Sequence, residues 1–132
     1  MIARFASAAA LLLATALPAT LAPARPAEAL ELVMVDEEGC VWCARWNAEI
    51  APAYPKSEEG RAAPLRRVEI DALPEELQID RPVRFTPTFL LVEDNRELSR
   101  MEGYPGADFF WPLLGDMLAK VDATLQDKDA GN

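Results

Sequence analysis

The chain has 132 residues, with 13 Lys and Arg against 22 Asp and Glu and a formal charge of −9. So acidic a balance excludes the basic surface that nucleic acid or an anionic membrane demands. Two cysteines and no histidine also exclude a disulfide-stapled miniature scaffold, which needs several bridges across long loops.

Met1 to Arg4 is short and positively charged, and Phe5 to Leu17 is an uncharged run rich in Ala and Leu. This is the length of a secretory signal's apolar region and falls short of the roughly 20 residues that span a bilayer. Pro18 ends the run, and small-residue sites follow at Ala22-Pro23-Ala24 and Ala27-Glu28-Ala29. Cleavage is expected after Ala29, because Leu30 to Val35 already reads as a strand. Residues 1–29 are therefore read as a removed signal peptide, 30–126 as one small domain and 127–132 as a flexible tail. Losing Arg4, Arg25 and Glu28 makes the exported chain more acidic by a single charge.

After the Leu30–Val35 strand, Asp36-Glu37-Glu38-Gly39 is a turn. Cys40, Cys43, Trp46, Ile50 and Tyr54 then recur at helical spacing, until Pro52 and Pro55 end the helix. Lys56 to Ala63 is polar and reads as a loop. Leu65 to Ile70 alternates apolar and charged residues as a strand does, and Asp71 to Arg84 is a connection with one helical turn at Pro74–Leu77. Thr88 to Val92 and Glu97 to Glu102 form a hairpin around Glu93–Arg96. Asp108 is the expected N-cap of a last helix, with an apolar stripe at Phe110, Leu113, Leu114, Met117, Leu118, Val121 and Leu125 and with Pro112 in its first turn. Trp46, Phe89, Phe109, Phe110 and Trp111 are expected in the core. The order is β-α-β then β-β-α, an α/β fold whose mixed central sheet carries helices on both faces.

The two cysteines form a Cys-x-x-Cys pair in "EEGCVWCARW". Zinc needs three or four ligands, and only the carboxylates of Asp36, Glu37 and Glu38 are at hand to complete a set. Covalent haem attachment needs His after the second cysteine, where Ala44 stands. A bond across two residues closes too small a loop to stabilise the chain much. Thiol–disulfide exchange remains, and no cofactor is expected. At the helix start, unsatisfied N–H groups favour a Cys40 thiolate, the form that attacks. Cys43, one turn further in, then resolves the mixed disulfide. The three acids before Cys40 oppose that thiolate and point to a reducing couple, whereas Arg45 favours it.

Cys40-Val41-Trp42-Cys43 after a first strand, with Phe85-Thr86-Pro87-Thr88-Phe89 leading into another, resembles the thioredoxin superfamily over about residues 30 to 125. The resemblance implies a minimal thioredoxin-like fold and a cis Thr86-Pro87 bond facing the disulfide. It adds Pro87 to the cysteines as a catalytic-site residue and makes Trp42, Thr86 and the Gly103 loop the substrate-facing positions. The chain departs from thioredoxin in lacking the extra N-terminal strand and helix and in having Gly39 where a Trp usually precedes the first cysteine. It also has Met34 where thioredoxin buries an Asp that handles protons for the second cysteine.

The longer stretches "GCVWCARWNAEIAPAYPK", "APLRRVEI" and "MEGYPGADFFWPLL" are similar to periplasmic thioredoxin-like proteins encoded with bacterial sulfur-oxidation (Sox) genes. That resemblance implies a periplasmic monomer that reduces, and so reactivates, the sulfur-carrier protein SoxYZ. By analogy with the family, a membrane thiol-transfer protein supplies the electrons. The alternatives are a general periplasmic disulfide reductase or isomerase, acting on other protein disulfides or thiol adducts, and a binding or regulatory module whose disulfide is a sensor.

Overall fold

The computed structural model describes residues 30–131, so the expected signal peptide lies outside the described residues. Strand β1 (Glu31–Asp36) is buried from Leu32 to Val35, which is why it reads as an unbroken apolar run and not as an alternation. It pairs in parallel with β2 (Leu65–Glu69) and antiparallel with β3 (Thr88–Glu93), which in turn pairs antiparallel with β4 (Arg96–Glu102). The sheet is mixed, in the order β2-β1-β3-β4. Asp94 and Asn95, at φ 54° and 61°, close the β3–β4 hairpin with the left-handed pair that matches strand twist.

Helix α1 (Val41–Glu49) starts directly after Cys40 and ends before Pro52; a 3-10 turn at Tyr54–Lys56 then leads into α2 (Glu58–Ala62). From sequence this last segment reads as a loop. It is helical because the Ser57 hydroxyl caps it, accepting from the Gly60 N–H at 2.9 Å. A Cβ on Gly60 would stand 1.8 Å from the Tyr54 carbonyl oxygen, so only glycine lets the two turns press together.

The long helix α3 (Ala107–Ala130) begins at Gly106, not at the expected Asp108 cap, which falls inside the first turn. Pro112 therefore sits in the second turn, where its missing N–H leaves one carbonyl without its helical partner. At the other end the helix runs on through residue 126 to Ala130, with neither Gly nor Pro between Gly115 and Gly131. Pro74 to Leu77 forms a hydrogen-bonded turn instead of a helical one.

Leu32, Met34, Phe89 and Leu91 face a core filled by Cys43 and Trp46 of α1, Ile50 just after it, and Phe110, Leu114, Met117, Leu118 and Val121 of α3. Trp46 is its hub, with ring centroids 5.5 Å from Phe89 and 5.8 Å from Phe110. The other face, Val33, Val35, Leu90 and Val92 with Val68 of β2, is covered by Leu77 with Ile70, Leu73, Ile79 and Val83. The mixed sheet is as expected, but the helices on both faces are not: among the described residues α1 and α3 pack on one face and the 70–87 connection covers the other. Pro74, Pro82 and Pro87 keep that connection from being helical, yet it still supplies enough apolar side chains to seal the sheet.

Candidate active site

The turn after β1 carries Gly39 at φ 80°, and the Cys40 N–H closes it on the Glu37 carbonyl at 3.3 Å. Cys40 is itself the N-cap of α1: its backbone is extended, and its Sγ accepts the Cys43 N–H at 3.1 Å. A sulfur thus stands where Ser or Asp usually caps a helix, against donors that have no partner within the helix. Cys40 and Cys43 are joined as a disulfide, S–S 2.13 Å, with Cα atoms 5.2 Å apart. Cys43 is 4 % exposed within the aromatic core, whereas Cys40 is only half-buried.

Pro87 comes to the same end of the sheet. Thr88 is the register partner of Val35, the penultimate residue of β1, so the segment before β3 ends beside the strand that leads into the cysteine turn. The Thr86–Pro87 bond is cis, as the resemblance implied. The Thr88 hydroxyl donates to the Phe85 carbonyl at 2.7 Å and closes the turn around it. Gly103, at φ 83°, donates its N–H to the Pro87 carbonyl at 2.7 Å, which seats the loop after β4 against the Pro87 turn.

Among solved structures the chain is similar to the crystal structure of the periplasmic thioredoxin SoxS from Paracoccus pantotrophus, reduced form. The two are 54% identical with a TM-score of 0.66, over 68% of this chain and 96% of that one. The chain belongs to the SoxS-like thioredoxins. No family model and no curated protein matches it. As a SoxS-like thioredoxin with its Cys-x-x-Cys pair at bonding distance, it is a thiol–disulfide oxidoreductase acting on thiol-bearing partners.

In this SoxS-like site Met34 is fully buried in the cluster that holds Cys43. The Arg67 guanidinium lies 3.5 Å from the Met34 sulfur. Arg67 also donates to Asp36 at 3.0 Å and Asn47 at 2.6 Å and lies over the Trp46 ring. A guanidinium stays protonated, so it cannot take a proton from Cys43 as a buried carboxylate could. Glu37 and Glu38 line a groove together with Glu69 and Asp71 from the end of β2. Two of the three acids that precede Cys40 in the sequence therefore belong to a larger negative wall beside it.

Trp42 is 52 % exposed. Val41, Phe85 and Phe109 are exposed as well, and the first two flank motif residues directly. Their signal in the sequence was adjacency: Val41 lies between the cysteines and Phe85 stands just before Thr86-Pro87. Phe109 was expected in the core and is 65 % exposed, because Phe110 and Leu114, one turn apart, take the buried face of α3. Trp111 is partly buried, stacked on Tyr54 with centroids 6.2 Å apart.

Proposed function

We propose that the chain is exported to the periplasm, with residues 1–29 as its signal peptide, and reduces protein disulfides or thiol adducts there, SoxYZ among them. The reading rests on the unequal exposure of the two sulfurs: Cys40 meets solvent while Cys43 is 4 % exposed behind it. The Cys40 thiolate attacks one sulfur of the partner's disulfide, forming a mixed disulfide and releasing the other sulfur as a thiolate. Cys43, deprotonated, then attacks the Cys40 sulfur and releases the partner's second thiolate. Two electrons pass to the partner, solvent protons neutralise the released thiolates, and the Cys40–Cys43 disulfide is left for a membrane thiol-transfer protein to reduce. Pro87, Thr86 and Gly103 form the backbone edge at which the partner segment lies, with Trp42 over it.

The deciding experiment is the reduction potential of the Cys40–Cys43 couple in a glutathione or dithiothreitol buffer. A value near or below about −230 mV supports a reductant, and one near about −120 mV overturns the SoxYZ-reactivation reading. Cys43→Ser incubated with SoxYZ carrying an adduct on its carrier cysteine should accumulate a mixed disulfide through Cys40. Cys40→Ser should form none.

A further inference from the structure

The proposed exchange uses the cysteines and the backbone around Pro87, but it leaves unexplained a polar chain along the outside of α1. The Tyr104 hydroxyl donates to Glu49 Oε2 at 2.6 Å, and Arg45 Nε donates to Glu49 Oε1 at 2.8 Å. The Arg45 guanidinium lies 5.7 Å from the centre of the Trp42 ring, a cation–π distance. Tyr104 directly follows Gly103, whose N–H is bonded to Pro87. One carboxylate at the end of α1 therefore connects both flanks of the site.

We propose that Glu49 is a positioning residue, tying the Gly103–Tyr104 loop to the helix that carries the cysteines and holding Trp42 in place through Arg45. Rotating the loop away would separate Gly103 and Pro87 from α1, and with them the edge at which a partner strand aligns. Freeing Arg45 would release the Trp42 ring to rotate. Neither change touches a sulfur, so the tether acts on how a protein partner is held and not on the thiol chemistry. Protonation behaviour agrees with the geometry. Burial first, and the bond to Glu49 second, push the Tyr104 phenol up to about 12. The bonds from Tyr104 and Arg45 hold the Glu49 carboxyl below its ordinary value.

This inference rests on the reductase reading, and its test separates the two. Tyr104→Phe keeps the ring packed on Phe110, 6.0 Å between centroids, and deletes only the hydroxyl; Glu49→Gln keeps an acceptor and deletes the charge. The reduced proteins are compared on insulin disulfides, and the oxidised proteins on dithiothreitol. Both variants should raise KM for insulin, Tyr104→Phe by about tenfold, as expected when a charge-assisted hydrogen bond that pre-orders a binding loop is lost. Their kcat, dithiothreitol rate and reduction potential should match the wild type. Glu49→Gln should also shift Trp42 fluorescence and lower the pH at which Tyr104 ionises. An unchanged KM in both variants overturns the inference, as does an equal loss on insulin and dithiothreitol, which marks general structural damage. A wild type that reacts with dithiothreitol but does not reduce insulin overturns the reductase reading itself.

Discussion

Glu97 and Arg100 form a buried ion pair along β4, with side chains 3 % and 5 % exposed. The carboxylate also accepts the Asp80 N–H at 2.9 Å, and Arg100 donates to the Arg81 carbonyl at 2.8 Å. The pair thereby fastens the connection before β3 to the hairpin. Burial pushes the Glu97 carboxyl up, but the bonds from Arg100 and Asp80 with the charges of Arg100 and Arg81 outweigh it, leaving it below its ordinary value. A carboxyl lowered in the folded state adds stability that is complete above its unfolded pKa, about 4.3, and is lost as pH falls through the folded value. Stability measured by denaturant titration should therefore drop on acidification below about pH 4.3, and Glu97→Gln should lack that part of the drop. At neutral pH, Glu97→Ala should cost about 1–3 kcal/mol, because the buried guanidinium loses its closest partner and keeps only Glu102, at 3.2 Å, and the Arg81 carbonyl.

Neighbouring phenylalanines on α3 should respond very differently to truncation. Phe110 is fully buried against Trp46, Phe89 and Tyr104, and Phe110→Ala should destabilise the fold by about 3–5 kcal/mol. Phe109→Ser should stay within about 0.5 kcal/mol in the same titration.

The acidic wall beside Cys40 gives a redox prediction. Replacing Glu37, Glu38, Glu69 and Asp71 by their amides removes negative charge that opposes a nearby thiolate, and so stabilises the reduced form. The Cys40–Cys43 potential should move in the positive direction by about 10–20 mV at low salt. Added salt should shrink the shift, since the groove is open to solvent.

Gly60→Ala places a methyl group on the Tyr54 carbonyl, 1.8 Å away. The cost should be at least about 2 kcal/mol, a fall of roughly 10 °C in Tm by differential scanning calorimetry. The potential of the cysteine pair should not follow, because the strained turn lies beyond the far end of α1.

The strands, the cysteine turn and the start of α1 were legible because each is written locally. An apolar run buried on both faces, a glycine before the cap and an Asp-Asn hairpin turn need no distant partner to be read. What escaped was set by distance or by competition. Glu49 and Tyr104 are 55 residues apart, and each alone is an ordinary surface carboxylate or aromatic. Phe109 and Phe110 are the same residue type, and only the rotation of α3, fixed by packing on Trp46, decides which one is buried. The cover over the second face escaped because Leu73, Leu77, Ile79 and Val83 follow no regular period. Their apolar character is in the sequence, but the surface they seal becomes visible only once the sheet is assembled.

That irregular cover has an architectural consequence. The segment that closes the back of the sheet with Leu77 and Val83 runs straight on into Phe85, Thr86 and Pro87. Under the proposed function, insulation of the hidden side and alignment of an incoming polypeptide fall to one continuous ribbon, with only Arg84 and Phe85 between its last anchor at Val83 and Thr86. On that reading, an engineer who repacks Leu77 or Val83 for thermal robustness also retunes which clients the enzyme accepts.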